Sequence, residues 1–129
     1  RPYLFSNSLS PAIVGAANEV FDILDGSTEL RVVLESNVTY FKEGMKKVGL
    51  EIRDGDSAIV PVMLYDAKLA QKFANKLLDE GSYAIGFFYP VVPKDLARIR
   101  VQLSAAHTKE HIDKAIAAFE KVGKELNVI

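Results

Sequence analysis

The chain has 129 residues, 49% of them hydrophobic and 26% charged, which is the length and composition of one globular domain with a real core. Sixteen Lys and Arg stand against 17 Asp and Glu, so a basic surface for nucleic acid is not indicated. With no cysteine there is no disulfide framework and no thiolate metal site, and no apolar run reaches the about 18 residues of a membrane helix.

Taken in chain order, Ser10-Pro11 opens a helix, a hydroxyl N-cap followed by proline at the first helical position. Leu9, Ile13, Ala17, Val20, Phe21 and Leu24 recur at helical spacing, and Gly26 supplies the stop. A second helix is predicted over residues 27–48, with Leu30, Leu34, Val38, Phe41, Met45 and Val48 as its buried stripe. Leu50 to Ile52 reads as a short edge strand before the Asp54-Gly55-Asp56 turn. Ala58 to Leu64 reads as a buried strand in which Pro61 sits where no ladder donor is needed.

Asp66 caps a third helix that turns Leu69, Phe73, Leu77 and Leu78 inward and ends at Gly81. Tyr83 to Phe88 and Ala97 to Leu103 are strands joined by a stiff loop holding Pro90 and Pro93. Thr108 caps a last helix carrying Ile112, Ile116, Phe119, Val122 and Leu126. The order α-α-(β)-β-α-β-β-α predicts an α+β fold, a small, largely antiparallel sheet with helices packed on one face.

Alternation on the last strand turns Ile99, Val101 and Leu103 to the core and Arg98 and Arg100 to the opposite face. A guanidinium presents a planar fork of donors that fits a carboxylate or phosphate, so the pair marks a candidate anion grip. A solvated strand face gives the same pattern. The Tyr3-Leu4-Phe5-Ser6-Asn7-Ser8 segment before the first helix is a candidate phosphate loop, with helix capping by Ser8 or Ser10 as the plainer account. His107 and His111 have no carboxylates patterned around them, so no metal site is expected, and His107 is assigned to capping or packing. The helix-face lysines read as solvated, and Gly81 and Gly86 as backbone punctuation. These residues alone do not specify a reaction.

Three runs carry a resemblance: Tyr3-Leu-Phe-Ser-Asn-Ser-Leu-Ser-Pro-Ala, Gly86-Phe-Phe-Tyr-Pro-Val-Val-Pro-Lys, and Ala97-Arg-Ile-Arg-Val-Gln-Leu-Ser-Ala-Ala-His-Thr. In this order, and over the whole chain, they resemble the α-oxoamine synthase group of fold-type I pyridoxal-phosphate (PLP) enzymes. The nearest likeness is to members that interconvert glycine and acetyl-CoA with 2-amino-3-oxobutyrate and CoA, in threonine breakdown. The resemblance implies a PLP-dependent acyltransferase working as a homodimer, with Arg100 holding the substrate carboxylate. It also implies that Ser6 and Asn7, with Phe5, reach the cofactor phosphate of the partner subunit, and it assigns no role to Arg98. Sister synthases for 8-amino-7-oxononanoate or 5-aminolevulinate are the alternatives within the group, and a non-catalytic binding module of the same fold is the alternative outside it.

On this resemblance residues 1–129 form a single C-terminal small domain, with residues 1–26 as the phosphate-loop segment and connecting helix. The Schiff-base lysine, the aspartate at the pyridine nitrogen and the stacking histidine are expected in a large domain before Arg1. A start at Arg1-Pro2-Tyr3 without methionine agrees with a fragment, which alone is expected to bind PLP poorly and to be inactive. The default location is cytoplasmic, or the mitochondrial matrix in a eukaryote. One departure from the family is visible: Asp95-Leu96 follow Lys94 where the family loop reads Pro-Lys-Gly.

Overall fold

A computed structural model describes residues 9–129, and the chain divides into two units, residues 1–30 and 31–129. In the first, helix α1 (Pro11–Gly26) begins where Ser10-Pro11 predicts. Proline occupies the first helical turn, and the Val14 N–H donates to the Ser10 carbonyl at 3.0 Å, although the Ser10 hydroxyl makes no capping bond. All of its described side chains are exposed, including Ile13, Phe21 and Ile23, so this helix is apolar on more sides than one solvated face requires. Phe5, Ser6 and Asn7 lie outside the described residues.

The second unit is built on a three-stranded antiparallel sheet of order β1-β3-β2, with β1 Ile59–Tyr65, β2 Ile85–Phe87 and β3 Ala97–Gln102. Around it run α2 (Glu29–Lys47), α3 (Ala67–Asp79) and α4 (Lys109–Glu125). Cross-strand register sets the two faces. Val60 opposes Val101 and Val62 opposes Ile99 on the helix side. Arg98 opposes Met63 and Phe87, and Arg100 opposes Pro61 and Ile85, on the other.

Phe41 and Met45 of α2, Phe73 and Leu77 of α3, and Ile112, Phe119 and Val122 of α4 close over the helix side as one cluster with Val60, Val62 and Ile99. At its centre the Phe119 ring meets Phe41 edge-on, with centroids 6.2 Å apart, and Phe73 at 5.6 Å. Gly86 admits α3 to this face: a Cβ there would stand 3.1 Å from the Ala70 carbonyl oxygen. That close approach is what the glycine is for.

Local chemistry accounts for the helix ends. The Asp66 carboxylate accepts from the Leu69 N–H at 2.6 Å. Thr108 and His111 form a reciprocal capping box, the hydroxyl accepting from the His111 N–H and the imidazole Nδ1 accepting from the Thr108 N–H, each at 3.3 Å. Lys76–Glu125 and Lys121–Glu80 ion pairs, at 2.7 and 2.6 Å, tie α3 and its C-cap to α4.

Three expectations need correction. Leu30 is 73% exposed, because the α2 stripe meets the core only from Leu34 onward. Leu78 is 58% exposed, since its neighbour Leu77 takes the inward slot one turn beyond Phe73. Leu50 to Ile52 forms no strand but a single bridge, Ile52 to Val62. There the Arg53 N–H donates to the Pro61 carbonyl and the Met63 N–H to the Glu51 carbonyl, both at 2.9 Å. Pro61 therefore turns its missing donor away from β3, as expected.

Candidate carboxylate-binding site

The site starts from strand geometry. Because β3 alternates, Arg98 and Arg100 leave the same face, but they meet different surroundings. Arg100 is exposed, and its Cζ lies 4.5 Å from the centroid of the Phe87 ring. This is a cation–π contact, and the guanidinium makes no hydrogen bond or ion pair among the described residues, so its N–H donors are open to an anion. Arg98 is half-buried, and its Nε–H is buried without a hydrogen-bond acceptor among the described residues. A solvated strand face does not describe it.

Arg100 opens onto a cleft of about 420 Å³ walled by Tyr83, Ile85, Gln102, Ser104 and His107. The far wall is a turn held from beneath. Buried Asn37 of α2 donates from Nδ2 to the carbonyls of Ser104 and His107, at 3.0 and 2.8 Å. The Ser104 N–H donates to His107 Nδ1 at 3.2 Å, which puts the imidazole proton of the neutral ring on Nε2. His107 thus stabilises the turn before α4, while the helix cap itself falls to Thr108 and His111; capping or packing was the expectation for His107.

The loop from β2 to β3 lines a separate cleft, together with Tyr65 and Asp66. It carries a cis Tyr89–Pro90 bond, Val91 and Val92 N–H groups on the Phe88 carbonyl, and Lys94 Nζ 5.3 Å from the Tyr89 ring centroid. Asp95, where the family loop has glycine, sits at φ +60°, the left-handed region that glycine enters freely and Asp tolerates. The departure falls where a glycine would rest without strain.

Residues 1–119 match the family model of class I and II aminotransferases. The chain belongs to that family. Among curated relatives of this aminotransferase-family chain, the 2-amino-3-ketobutyrate coenzyme A ligase of Escherichia coli (strain K12) is 55% identical over 129 residues, all of this chain and 32% of the relative. The 8-amino-7-oxononanoate synthase of Thermosipho melanesiensis is 53% identical over the same span, 33% of its length. A solved serine palmitoyltransferase from S. paucimobilis, with bound PLP and myriocin, superposes with a TM-score of 0.89 at 34% identity, over all of this chain and 33% of that one. The chain thus spans about a third of the length of the curated relatives it matches.

An aminotransferase-family site with PLP needs a desolvated amine to bond the cofactor. No described lysine is buried, so the described residues do not fit that part of the cofactor's site. Among them, no three His, Cys, Asp or Glu side chains gather as metal ligands, and no helix is long and apolar enough to cross a membrane.

Two contributors escape the sequence patterns. Asn37 breaks the apolar stripe of α2 midway between Leu34 and Phe41, and a lone amide on a buried face was the available signal. Phe87 stands on β2, eleven residues before Arg98, and only the β2–β3 register brings it to the arginines.

Proposed function

We propose that this chain is the C-terminal small domain of a PLP-dependent glycine C-acetyltransferase, interconverting glycine and acetyl-CoA with 2-amino-3-oxobutyrate and CoA. Identity of 55% across all 129 residues to the Escherichia coli ligase supports the choice of reaction. The observation that carries the site is the exposed guanidinium of Arg100, in cation–π contact with Phe87 and lining a polar cleft. PLP, anchored on parts of the full-length protein beyond this chain, supplies the electron sink for the amino acid's Cα.

This chain's own task is binding and orientation. The N–H edges of Arg100 take the glycine carboxylate bidentately, which fixes the amino acid at one end. Arg98 beside it adds positive potential on the same face. Phe5, Ser6 and Asn7 serve the cofactor phosphate of the partner subunit in a homodimer, and the enzyme works in the cytoplasm or the mitochondrial matrix.

In the full-length protein Arg100→Ala raises the glycine KM about 10- to 100-fold, the loss of a charge-assisted bidentate contact. The absorbance of the bound cofactor stays in place. An unchanged glycine KM would remove Arg100 from the site. The 53% identity to the 8-amino-7-oxononanoate synthase supports a second reading, a sister enzyme with a longer acyl donor. Turnover against a panel of acyl-CoA thioesters separates the two: preference for acetyl-CoA retains the first reading, preference for a longer, carboxylated acyl chain replaces it. The 129-residue chain alone, mixed with PLP, is expected to give no stoichiometric spectral shift.

A further inference from the structure

The direction in which Arg100 leans needs a cause. In register, Arg100 faces Ile85 and Pro61, while Phe87 faces Arg98. The stack of Arg100 on Phe87 is therefore a diagonal contact, within reach of a long side chain. It carries the guanidinium along the strand towards a second cation, Arg98, whose Nε–H already lacks an acceptor. Coulomb repulsion opposes that lean, and an exposed arginine on its own would sample many rotamers. The face of the Phe87 ring, with its negative quadrupole, is the attraction that offsets both.

We propose that Phe87 is the positioning residue of the carboxylate grip, holding the Arg100 guanidinium in one plane so that only its N–H edges face the incoming amino acid. The inference rests on the reading of Arg100 as the carboxylate ligand. In this reading Phe87 acts through Arg100 and not on the substrate itself. Its ring is half-buried, fixed in β2 beside the Gly86 contact with α3, so the orientation it gives is tied to the rigid core. A guanidinium with one face covered and its edges free is pre-organised for a planar two-oxygen anion, and binding then orders less.

The test uses the full-length PLP-loaded protein and steady-state kinetics with glycine and acetyl-CoA. Phe87→Leu raises the glycine KM about five-fold, the scale of one cation–π contact, with kcat within about two-fold and the acetyl-CoA KM unchanged. Phe87→Tyr and Phe87→Trp restore the wild-type glycine KM, because each keeps a π face. Placed in an Arg100→Ala background, Phe87→Leu adds nothing further, since there is no guanidinium left to orient. If Phe87→Leu yields no folded holoenzyme, Phe87→Met takes its place with the same expectations. An unchanged glycine KM in the leucine or methionine variant overturns the inference while leaving Arg100 in its role. So does a rise that persists in the Arg100→Ala background, which would mark Phe87 as structural only. A glycine KM indifferent to Arg100→Ala itself would overturn the reading underneath.

Discussion

On the helix side of the sheet, Val60, Val62 and Ile99 are fully buried in one cluster with the three core phenylalanines. On the opposite side Ile59 and Ile85 are exposed, Arg100 is open, and Arg98 holds a buried N–H with no acceptor among the described residues. The same three strands supply both faces, so β propensity cannot separate them. The difference lies in what each face has to meet. The first is completed by α2, α3 and α4 and supplies stability; the second keeps donors and apolar surface unspent, as a binding face does.

Breaking the closed face has the largest expected effect. Phe119→Ala removes the ring that joins Phe41 to Phe73 and costs about 3–5 kcal/mol, read from urea unfolding of the 129-residue chain. A loss below about 1 kcal/mol would mean that the cluster is not what holds the sheet. Next comes Gly86→Ala, where the new methyl meets the Ala70 backbone oxygen, which has no flexible end to yield. The expected loss is about 1–3 kcal/mol. Stability equal to wild type would show that α3 can step back from the sheet.

On the open face the sign reverses. Arg98→Met removes a buried donor that has no partner here and keeps the apolar stem, so the 129-residue chain becomes no less stable, gaining up to about 1–2 kcal/mol. A loss of similar size would reveal an acceptor for Nε. The smallest effect belongs to the rim. Glu125 is held below the ordinary carboxylate range chiefly by its hydrogen bond from Lys76 and then by the charge of that lysine. A depressed carboxylate stabilises above its unfolded pKa and stops doing so as pH falls through the folded one. The Tm difference between wild type and Glu125→Gln is therefore present at neutral pH and fades as pH falls below the ordinary carboxylate range and through Glu125's lower one. A difference constant with pH would assign it to packing.

Much of the closed face was legible in the sequence, because its signals are local. Ser10-Pro11, Asp66 and Thr108 each start a helix where they stand, and the spacing of Phe41, Met45, Phe73 and Phe119 marks inward positions. Leu30 and Leu78 misled because periodicity gives the direction of a stripe and not how many of its turns find a partner. Arg98 and Arg100 read as one pattern. Their divergence comes from cross-strand neighbours, and the pairing of β2 with β3 across the proline loop is not written in either strand alone.

Pro61 has a consequence for life in a crowded solution. The sheet has two edges, and both are poor templates for a foreign strand. β2 is three residues long, and β1 offers at its outer edge a proline without a donor, already engaged through its carbonyl by Arg53. Open edges on such a sheet would invite strand-to-strand stacking into aggregates. Here the backbone disfavours that route at both edges of the sheet.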